Sequence, residues 1–331
     1  MWSVVGETII VGEGMRAFIT GATGFAGSYL VDNLLTAGHH VTALVHPATS
    51  HQSLPEHLLV EAVEGDLLDA ASLKTAVSQA RPDVIYHLAG QASPARSWQE
   101  PALTLAINAG GTANLLQAAV EYGRPRVVVV TSAEIYGQIK SSDLPLTEES
   151  QPQPRHPYGI SKWAASQLVA VYWERYQLPA VEARPFNHIG PHQALGFVVP
   201  DFASQLAAIK LGQSPPTLRV GNLDAQRDFT DVRDVARAYQ LLAEKGRPGE
   251  AYFICSGQPV AIHYLLNTLV EAAGVTVKIE YDPARMRPSD TPCLYGSYGK
   301  IQKDTGWQPQ IHLRQSLADA LADWLQRLSE A

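Results

Sequence analysis

Short apolar runs alternate, through the first half of the chain, with longer stretches whose apolar positions recur every three or four residues. The runs at 16–20, 40–45, 83–88 and 126–131 have the length and residue types of strands. The stretches at 28–37, 73–80 and 102–122 have the spacing of helices with one buried face. Strands separated by such helices predict crossover connections, a parallel sheet and helices on both of its faces. Val127, Val128, Val129 and Val130 stand in a row without polar alternation, so that strand is predicted to be buried on both sides. A further helix is predicted over 158–176, after a polar, proline-rich loop at 140–157 that reads as ordered surface. Past residue 185 the punctuation thickens, with Pro185, Gly190-Pro191, Pro215-Pro216, Pro283 and Pro288. This pattern predicts a smaller second lobe, joined without a flexible linker and without internal repeats.

The first strand runs into Gly21-Ala22-Thr23-Gly24-Phe25-Ala26-Gly27, and a helical pattern follows at once. In that order Gly21 permits a tight turn, Gly24 lets backbone approach a pyrophosphate, and Gly27 lets helix and sheet pack closely, with the anion at the helix N-terminus. The fold class expected is α/β, a Rossmann-type doubly wound parallel sheet with a smaller, partly interleaved C-terminal substrate lobe. Residues 1–14 are expected to be an extension, 15–185 the dinucleotide-binding domain with returning segments near 217–255, and 186–331 the lobe. Ligands on such a sheet gather beyond the strand C-termini, so Gly21, His46, Leu88 and Thr131 are expected along one crevice. His46 stands after the second strand, where NAD-specific sites carry an acid for the ribose 2'-hydroxyl. Without that acid nothing repels a 2'-phosphate, and NADP is expected, with NAD as the alternative. Asp66 follows another apolar stretch and is expected either at the adenine amino group or as the cap of the next helix.

With 331 residues, 46% of them apolar, and no apolar run long enough for a membrane span, the chain has ample core for one large or two medium domains. A formal charge of −7 argues against nucleic acid and anionic membranes, which call for clustered Lys and Arg. Cys255 and Cys293 form neither a disulfide framework nor paired metal-ligand spacing, so no metal and a reducing, cytoplasmic setting are expected. Residues 1–14 contain acids and lack the basic start of a secretory signal.

Tyr158 and Lys162, four residues apart, share one face of the predicted helix. A fixed cation beside a phenol favours the phenolate. Lowering the phenol by about three units takes about 4 kcal/mol, which one close ammonium in a water-poor site supplies. Tyr158 is therefore a candidate proton-transfer group.

Taken together, the glycine motif, Tyr86-His87-Leu88-Ala89-Gly90, Thr131-Ser132-Ala133-Glu134-Ile135-Tyr136-Gly137 and Tyr158 through Lys162 resemble the extended short-chain dehydrogenase/reductase family of nucleotide-sugar enzymes, in that family's order. Further runs narrow the resemblance: 184–191, 195–198, 220–223, 227–234 and Arg287-Pro288-Ser289-Asp290. They are similar to the branch that reduces the C4 ketone of GDP-4-dehydro-6-deoxy-D-mannose to GDP-D-rhamnose. The resemblance implies that Ser132 holds the ketone oxygen, that Tyr158 gives it a proton, and that Lys162 grips the nicotinamide ribose. It implies cofactor contacts at Gly21, Thr23, Gly24, Phe25, Ala26, Gly27, His46, Asp66, Leu67, Leu88, Ala89, Thr131, Tyr158 and Lys162. For the GDP-sugar it implies Ser93, Glu134, Asn187, Val198, Arg227, Arg287 and Asp290. Arg227 and Arg287 suit a diphosphate because a guanidinium meets phosphate oxygens with two parallel hydrogen bonds; the alternative is ion pairing with Asp228 or Asp290. The family usually has Glu where Asp290 stands, which weakens the expected ribose contact. For Asn187 the alternative is an Asx turn before Gly190, and for His188 packing is favoured over acid–base work.

Two rivals share the superfamily. A GDP-mannose 4,6-dehydratase would use Glu134 as a base, but such enzymes carry Gln-Asp where this chain has Phe25-Ala26, and Thr in place of Ser132. An epimerase would retain NAD, and the missing acid after the second strand counts against it. From another class, an idle cofactor-binding regulator has no physical need of Ser132, Tyr158 and Lys162. The resemblance also implies a homodimer paired through the helices at 102–122 and 158–176.

Overall fold

The computed structural model describes residues 14–48, 60–137, 139–285 and 291–330. In chain order its strands are β1 (Arg16–Thr20), β2 (His40–Val45), β3 (Val60–Glu64), β4 (Val84–His87), β5 (Arg126–Val130), β6 (Ala180–Pro185), β7 (Asn187–Ile189), β8 (Thr217–Val220), β9 (Gln226–Asp231), β10 (Ala251–Ile254), β11 (Pro259–Ala261), β12 (Lys278–Tyr281) and β13 (Cys293–Leu294). The helices are α1 (Phe25–Thr36), α2 (Ala70–Ala80), α3 (Pro94–Gln99), α4 (Pro101–Leu105), α5 (Gly111–Tyr122), α6 (Pro157–Tyr176), α7 (Val198–Lys210), α8 (Val232–Lys245), α9 (Ile262–Ala273), α10 (Gly299–Thr305) and α11 (Leu313–Glu330). The expected extension lies, except for Gly14, outside the described residues.

Seven strands, all parallel, form one sheet in the order β10-β6-β5-β4-β1-β2-β3. From β1 the chain steps outward to β2 and β3, returns to β4 on the other side, and then steps outward the opposite way. Strand order therefore reverses between β1 and β4, and the crevice of a doubly wound sheet opens beyond their C-termini. Val127, Val128 and Val129 are fully buried, as a strand covered on both faces requires. One face packs on α1 and α8, around Leu30, Leu34, Tyr239 and Leu242; the other packs on α2 and α5, around Leu73, Val77, Leu115 and Leu116. Each such side chain contributes about 1.5–3 kcal/mol by leaving water.

The segment after β6 leaves the sheet and comes back. A smaller sheet, β11-β9-β13 with β7 paired to β9, packs with the β8–β12 pair and helices α7, α9 and α11 around Phe202, Leu206, Leu218 and Leu265. From β9 the chain re-enters the large sheet through α8 and β10. The single helix predicted over 102–122 is two helices joined by a π-wound turn, Ala106–Gly110, because Asn108 is drawn inward. Its Nδ2 donates to the Gln91 carbonyl at 3.0 Å and to Ser161 Oγ at 2.9 Å, while its Oδ1 accepts the Gln91 N–H at 2.8 Å.

A buried charge pair ties together the elements that carry the candidate chemistry. Arg184 meets Glu182 through two bonds of 2.7 and 2.9 Å, and both side chains are almost fully covered. Thr131 and Ser166 donate to the same carboxylate at 2.5 and 2.9 Å, and Arg184 donates to Tyr136 at 2.7 Å. Burial alone would lower the guanidinium pKa, but the Glu182 charge and hydrogen bonds outweigh it and raise it. Replacing Glu182 by Ala leaves a buried cation uncompensated and should cost about 3–5 kcal/mol in urea unfolding, with Glu182→Gln costing less. Equal, small losses for both variants would show that the pair contributes little.

Candidate active site

Backbone proximity builds the crevice floor. Gly21 has φ +78°, and a Cβ there would lie 2.7 Å from the Ala89 nitrogen; a Cβ on Gly27 would lie 2.0 Å from the Gly21 oxygen. Only glycine fits either position. Gly24, extended, precedes α1 with no side-chain cap and no acid in the first turn. The first N–H groups of α1, at Phe25, Ala26 and Gly27, therefore face outward as donors for an anion. Those donors, with no side-chain cap at Gly24, fit a dinucleotide pyrophosphate. Thr23 is exposed at the same lip.

Beside it, His87 stitches β1 to the helix behind. Thr112 donates to the Asn108 carbonyl, so its oxygen accepts from His87 Nε2 at 3.0 Å, and His87 Nδ1 accepts from Thr20 at 2.8 Å. Burial lowers this imidazole's pKa to about 3 and keeps it neutral. Thr20 also accepts the Ala89 N–H at 3.1 Å, which fixes Leu88 and Ala89 at the crevice edge.

His46 is exposed after β2, with Nε2 3.6 Å from Asp66 Oδ2 and Nδ1 accepting the Ala48 N–H. Asp66 does not cap α2: Asp69 does, accepting from Ala71 and Ser72, while Asp66 accepts the Leu68 N–H at 2.9 Å. Leu67 turns its side chain inward against Gly111, and its carbonyl accepts from Asn114 Nδ2 at 2.9 Å.

Ser132, Tyr158 and Lys162 converge, all buried, where β5 ends against α6. Ser132 Oγ accepts the Glu134 N–H at 3.2 Å and hydrogen-bonds the Tyr158 phenol. Lys162 Nζ donates to the Val130 carbonyl at 2.9 Å, and a Cβ on Gly90 would lie 3.6 Å from it, so the amine stands at the crevice. The expected electrostatic lowering of Tyr158 is not what the structure shows. Burial raises the phenol pKa to about 12, against the pull of the Ser132 hydrogen bond and with a further push from the Glu134 carboxylate. Lys162 is itself lowered to about 8 by burial, with Glu182 opposing. Desolvation acts on both groups and favours their uncharged forms, which outweighs the attraction expected between ammonium and phenolate. A phenol held protonated is the form that can donate.

The substrate-side residues are dispersed over the large sheet's loops and the lobe. Ser93 caps α3, accepting the Arg96 N–H at 3.2 Å. Asn187 bridges β7 to β9, donating to the Asp228 carbonyl at 3.2 Å, instead of forming the Asx turn. Arg227 donates to the Gln226 and Thr291 carbonyls at 2.8 and 2.6 Å. Its neighbour Asp228 faces inward and accepts from Ser256 and Gly257, and burial raises that carboxyl's pKa to about 6. Val198 begins α7. Arg287 and Asp290 lie outside the described residues. His188 stacks on Phe25 with ring centres 5.7 Å apart, and burial lowers its pKa, which fits packing. Sequence reasoning passed over His156, which caps α6 and contacts Glu134; its position before Pro157 at a helix start was the available signal. Among the described residues no cluster of His, Cys, Asp or Glu could hold a metal ion.

A glycine turn at the reversal of a parallel sheet, with Ser, Tyr and Lys gathered beside it, defines the extended short-chain dehydrogenase/reductase class. Residues 18–320 match the sequence profile described as GDP-mannose 4,6 dehydratase, and the chain belongs to that family. It is 39% identical over 316 residues to the GDP-6-deoxy-D-mannose reductase of Pseudomonas aeruginosa, covering 95% of this chain and 99% of that one. It is 30% identical to GDP-mannose 4,6 dehydratase 1 of Arabidopsis thaliana, over 93% of this chain and 89% of that one. Among solved structures it is similar to RMD from Pseudomonas aeruginosa complexed with NADPH, with TM-score 0.83 and 37% identity over 95% of this chain and all of that one. A UDP-glucose 4-epimerase from Thermus thermophilus in complex with NAD is also similar, with TM-score 0.84 and 28% identity over 94% and 99% of the two chains.

The burial of Lys162 is directly measurable. With labelled lysines, the resonance that disappears in Lys162→Met should titrate near pH 8, whereas exposed lysines titrate at about 10.4. Titration of that resonance above pH 10 would place the amine in open water.

Proposed function

We propose that this chain reduces the C4 ketone of GDP-4-dehydro-6-deoxy-D-mannose, with NADPH, to GDP-D-rhamnose. The observation that carries this is the convergence of the buried Ser132, Tyr158 and Lys162 side chains at the crevice, where β5 ends against α6. Near-full-length similarity to a GDP-6-deoxy-D-mannose reductase supports the substrate.

When bound, NADPH supplies the hydride that adds to the C4 carbon. The protein residues manage the oxygen. Negative charge grows there as the carbonyl is reduced, and the Tyr158 hydroxyl gives up its proton to it. Ser132 Oγ accepts the Glu134 N–H through a lone pair, and its hydroxyl hydrogen, which meets the Tyr158 phenol, turns to the same oxygen when the ketone is bound. Donors placed before reaction and shielded from water stabilise the transition state more than the ketone. Lys162 holds the nicotinamide ribose beside Tyr158 and Thr131, and its cation, near the oxygen, favours proton release. The N-terminus of α1 takes the pyrophosphate, Leu88 and Ala89 line the cofactor's path, and Asp66 meets the adenine. His46 in place of an acid accommodates a 2'-phosphate, and a similar structure is complexed with NADPH; NAD is the alternative, since another similar structure holds NAD.

Arg227 and Arg287 take the GDP diphosphate, Asp290 the ribose, and Asn187, Ser93, Val198 and Glu134 the sugar side. Dehydratase activity is the second possibility, because Glu134 stands where that base would be; Phe25-Ala26 and Ser132 oppose it. Two copies pair through α4 to α6, where Leu103, Leu105, Ile160 and Val171 are exposed apolar side chains. The unpaired cysteines suit a reducing, cytoplasmic compartment, and no described helix is long and apolar enough to cross a membrane.

Purified protein given the GDP-4-keto-6-deoxy sugar and NADPH should bleach the nicotinamide absorbance and yield GDP-D-rhamnose by NMR. Unchanged absorbance would sink the reductase assignment, and a keto product from GDP-mannose alone would favour the dehydratase. Tyr158→Phe should lose at least about a hundredfold in kcat, with NADPH affinity nearly intact. In sedimentation the wild type should run as a dimer, and Val171→Glu with Leu103→Glu should shift it to monomer; a monomeric wild type would reject the pairing.

A further inference from the structure

We propose that His156 is a positioning residue of the reduction, which holds Glu134 and Tyr158 in a single closed ring of contacts and so keeps Glu134 as a fixed sugar contact instead of a free base. The proposal rests on the reductase assignment. Its basis is geometric. His156 Nδ1 accepts the Gly159 N–H at 2.9 Å, as the side-chain cap of α6. That nitrogen must then be unprotonated, so the ring proton sits on Nε2, which donates to Glu134 Oε2 at 3.0 Å. The same ring stacks on Tyr158, with centroids 6.0 Å apart and planes 20° from parallel. Glu134 N–H in turn donates to Ser132, which hydrogen-bonds Tyr158. Four residues thus form a loop: the His156 ring to the Glu134 carboxylate, the Glu134 backbone N–H to Ser132, Ser132 to Tyr158, and Tyr158 back to His156 by ring stacking.

The loop has one rigid member. His156 is pinned at both nitrogens, and its side chain is 13% exposed; that of Glu134 is 35% exposed. The imidazole is one of the groups that orient the carboxylate, through the 3.0 Å bond from Nε2. A carboxylate released from it would swing toward solvent or toward the phenol, and either move shifts the proton donor relative to the ketone oxygen. Misplacement of that kind acts on the chemical step more than on cofactor binding.

His156→Asn separates capping from positioning, because the Asn side-chain oxygen serves well at a helix N-cap but is too short to reach Glu134. The variant should fold with a near-normal unfolding midpoint and bind NADPH as wild type does, while kcat falls about tenfold or more. Glu134→Gln combined with His156→Asn should be no slower than Glu134→Gln alone, since the two act as one unit. A wild-type kcat in His156→Asn, or losses that multiply in the double variant, would overturn the proposal. Independently of turnover, nitrogen NMR of labelled histidine should show His156 as the Nε2–H tautomer, and Glu134→Gln should weaken that preference. An unchanged tautomer signal in Glu134→Gln would also overturn it. If wild-type protein consumes no NADPH with the keto sugar, the reductase assignment is what fails, and the tautomer measurement still decides whether His156 holds Glu134.

Discussion

Close approach of backbone to backbone at the reversal of strand order governs the rest of the molecule. Between β1 and β4 the chain turns with no room for a single Cβ at Gly21 or Gly27. The same tightness aims the start of α1 outward and brings Leu88, Ala89 and Gly90 level with the turn. A neutral, buried His87 bonded to Thr20 and Thr112 locks that level. The glycine turn, Leu88 and Ala89 take their relative positions from this one contact.

Water exclusion then sets the character of the chemistry. The phenol and amine at the end of β5 are both buried, and burial pushes each toward its neutral form. An ammonium acting to create a phenolate would suit removal of a proton. A desolvated phenol with a hydroxyl partner suits delivery of one. Packing, more than attraction between charges, thus holds the phenol in the protonated form that can donate.

Much of this was legible in the linear pattern. The apolar runs and their spacing led to the parallel sheet, and the glycine turn led to its crevice, because both are local consequences of period and of φ freedom. Four features were not legible. The sign of the Tyr158 shift depends on burial, which residue spacing does not encode. The cap of α2 passed to Asp69 from Asp66 because only Asp69 lies within reach of Ala71 and Ser72. The break in the 102–122 helix arises from the polar demand of Asn108, a long-range bond to Ser161 that periodicity cannot reveal. Helix α1 also begins at Phe25, three residues before the predicted start, since Phe25, Ala26 and Gly27 are already helical and only Gly24, ahead of them, is extended.

The π-wound turn at Ala106–Gly110 has a geometric consequence. Each added residue rotates the following side chains by about 100° around the axis, so the apolar stripe of α4 and that of α5 point in different directions along one continuous rod. The upstream half leans on α6, which bears the candidate chemistry, and the downstream half leans on α2 and the sheet. A regular winding would serve one neighbour and forsake the other. The irregular turn lets a single rod pack against both the sheet and the helix that bears the candidate chemistry.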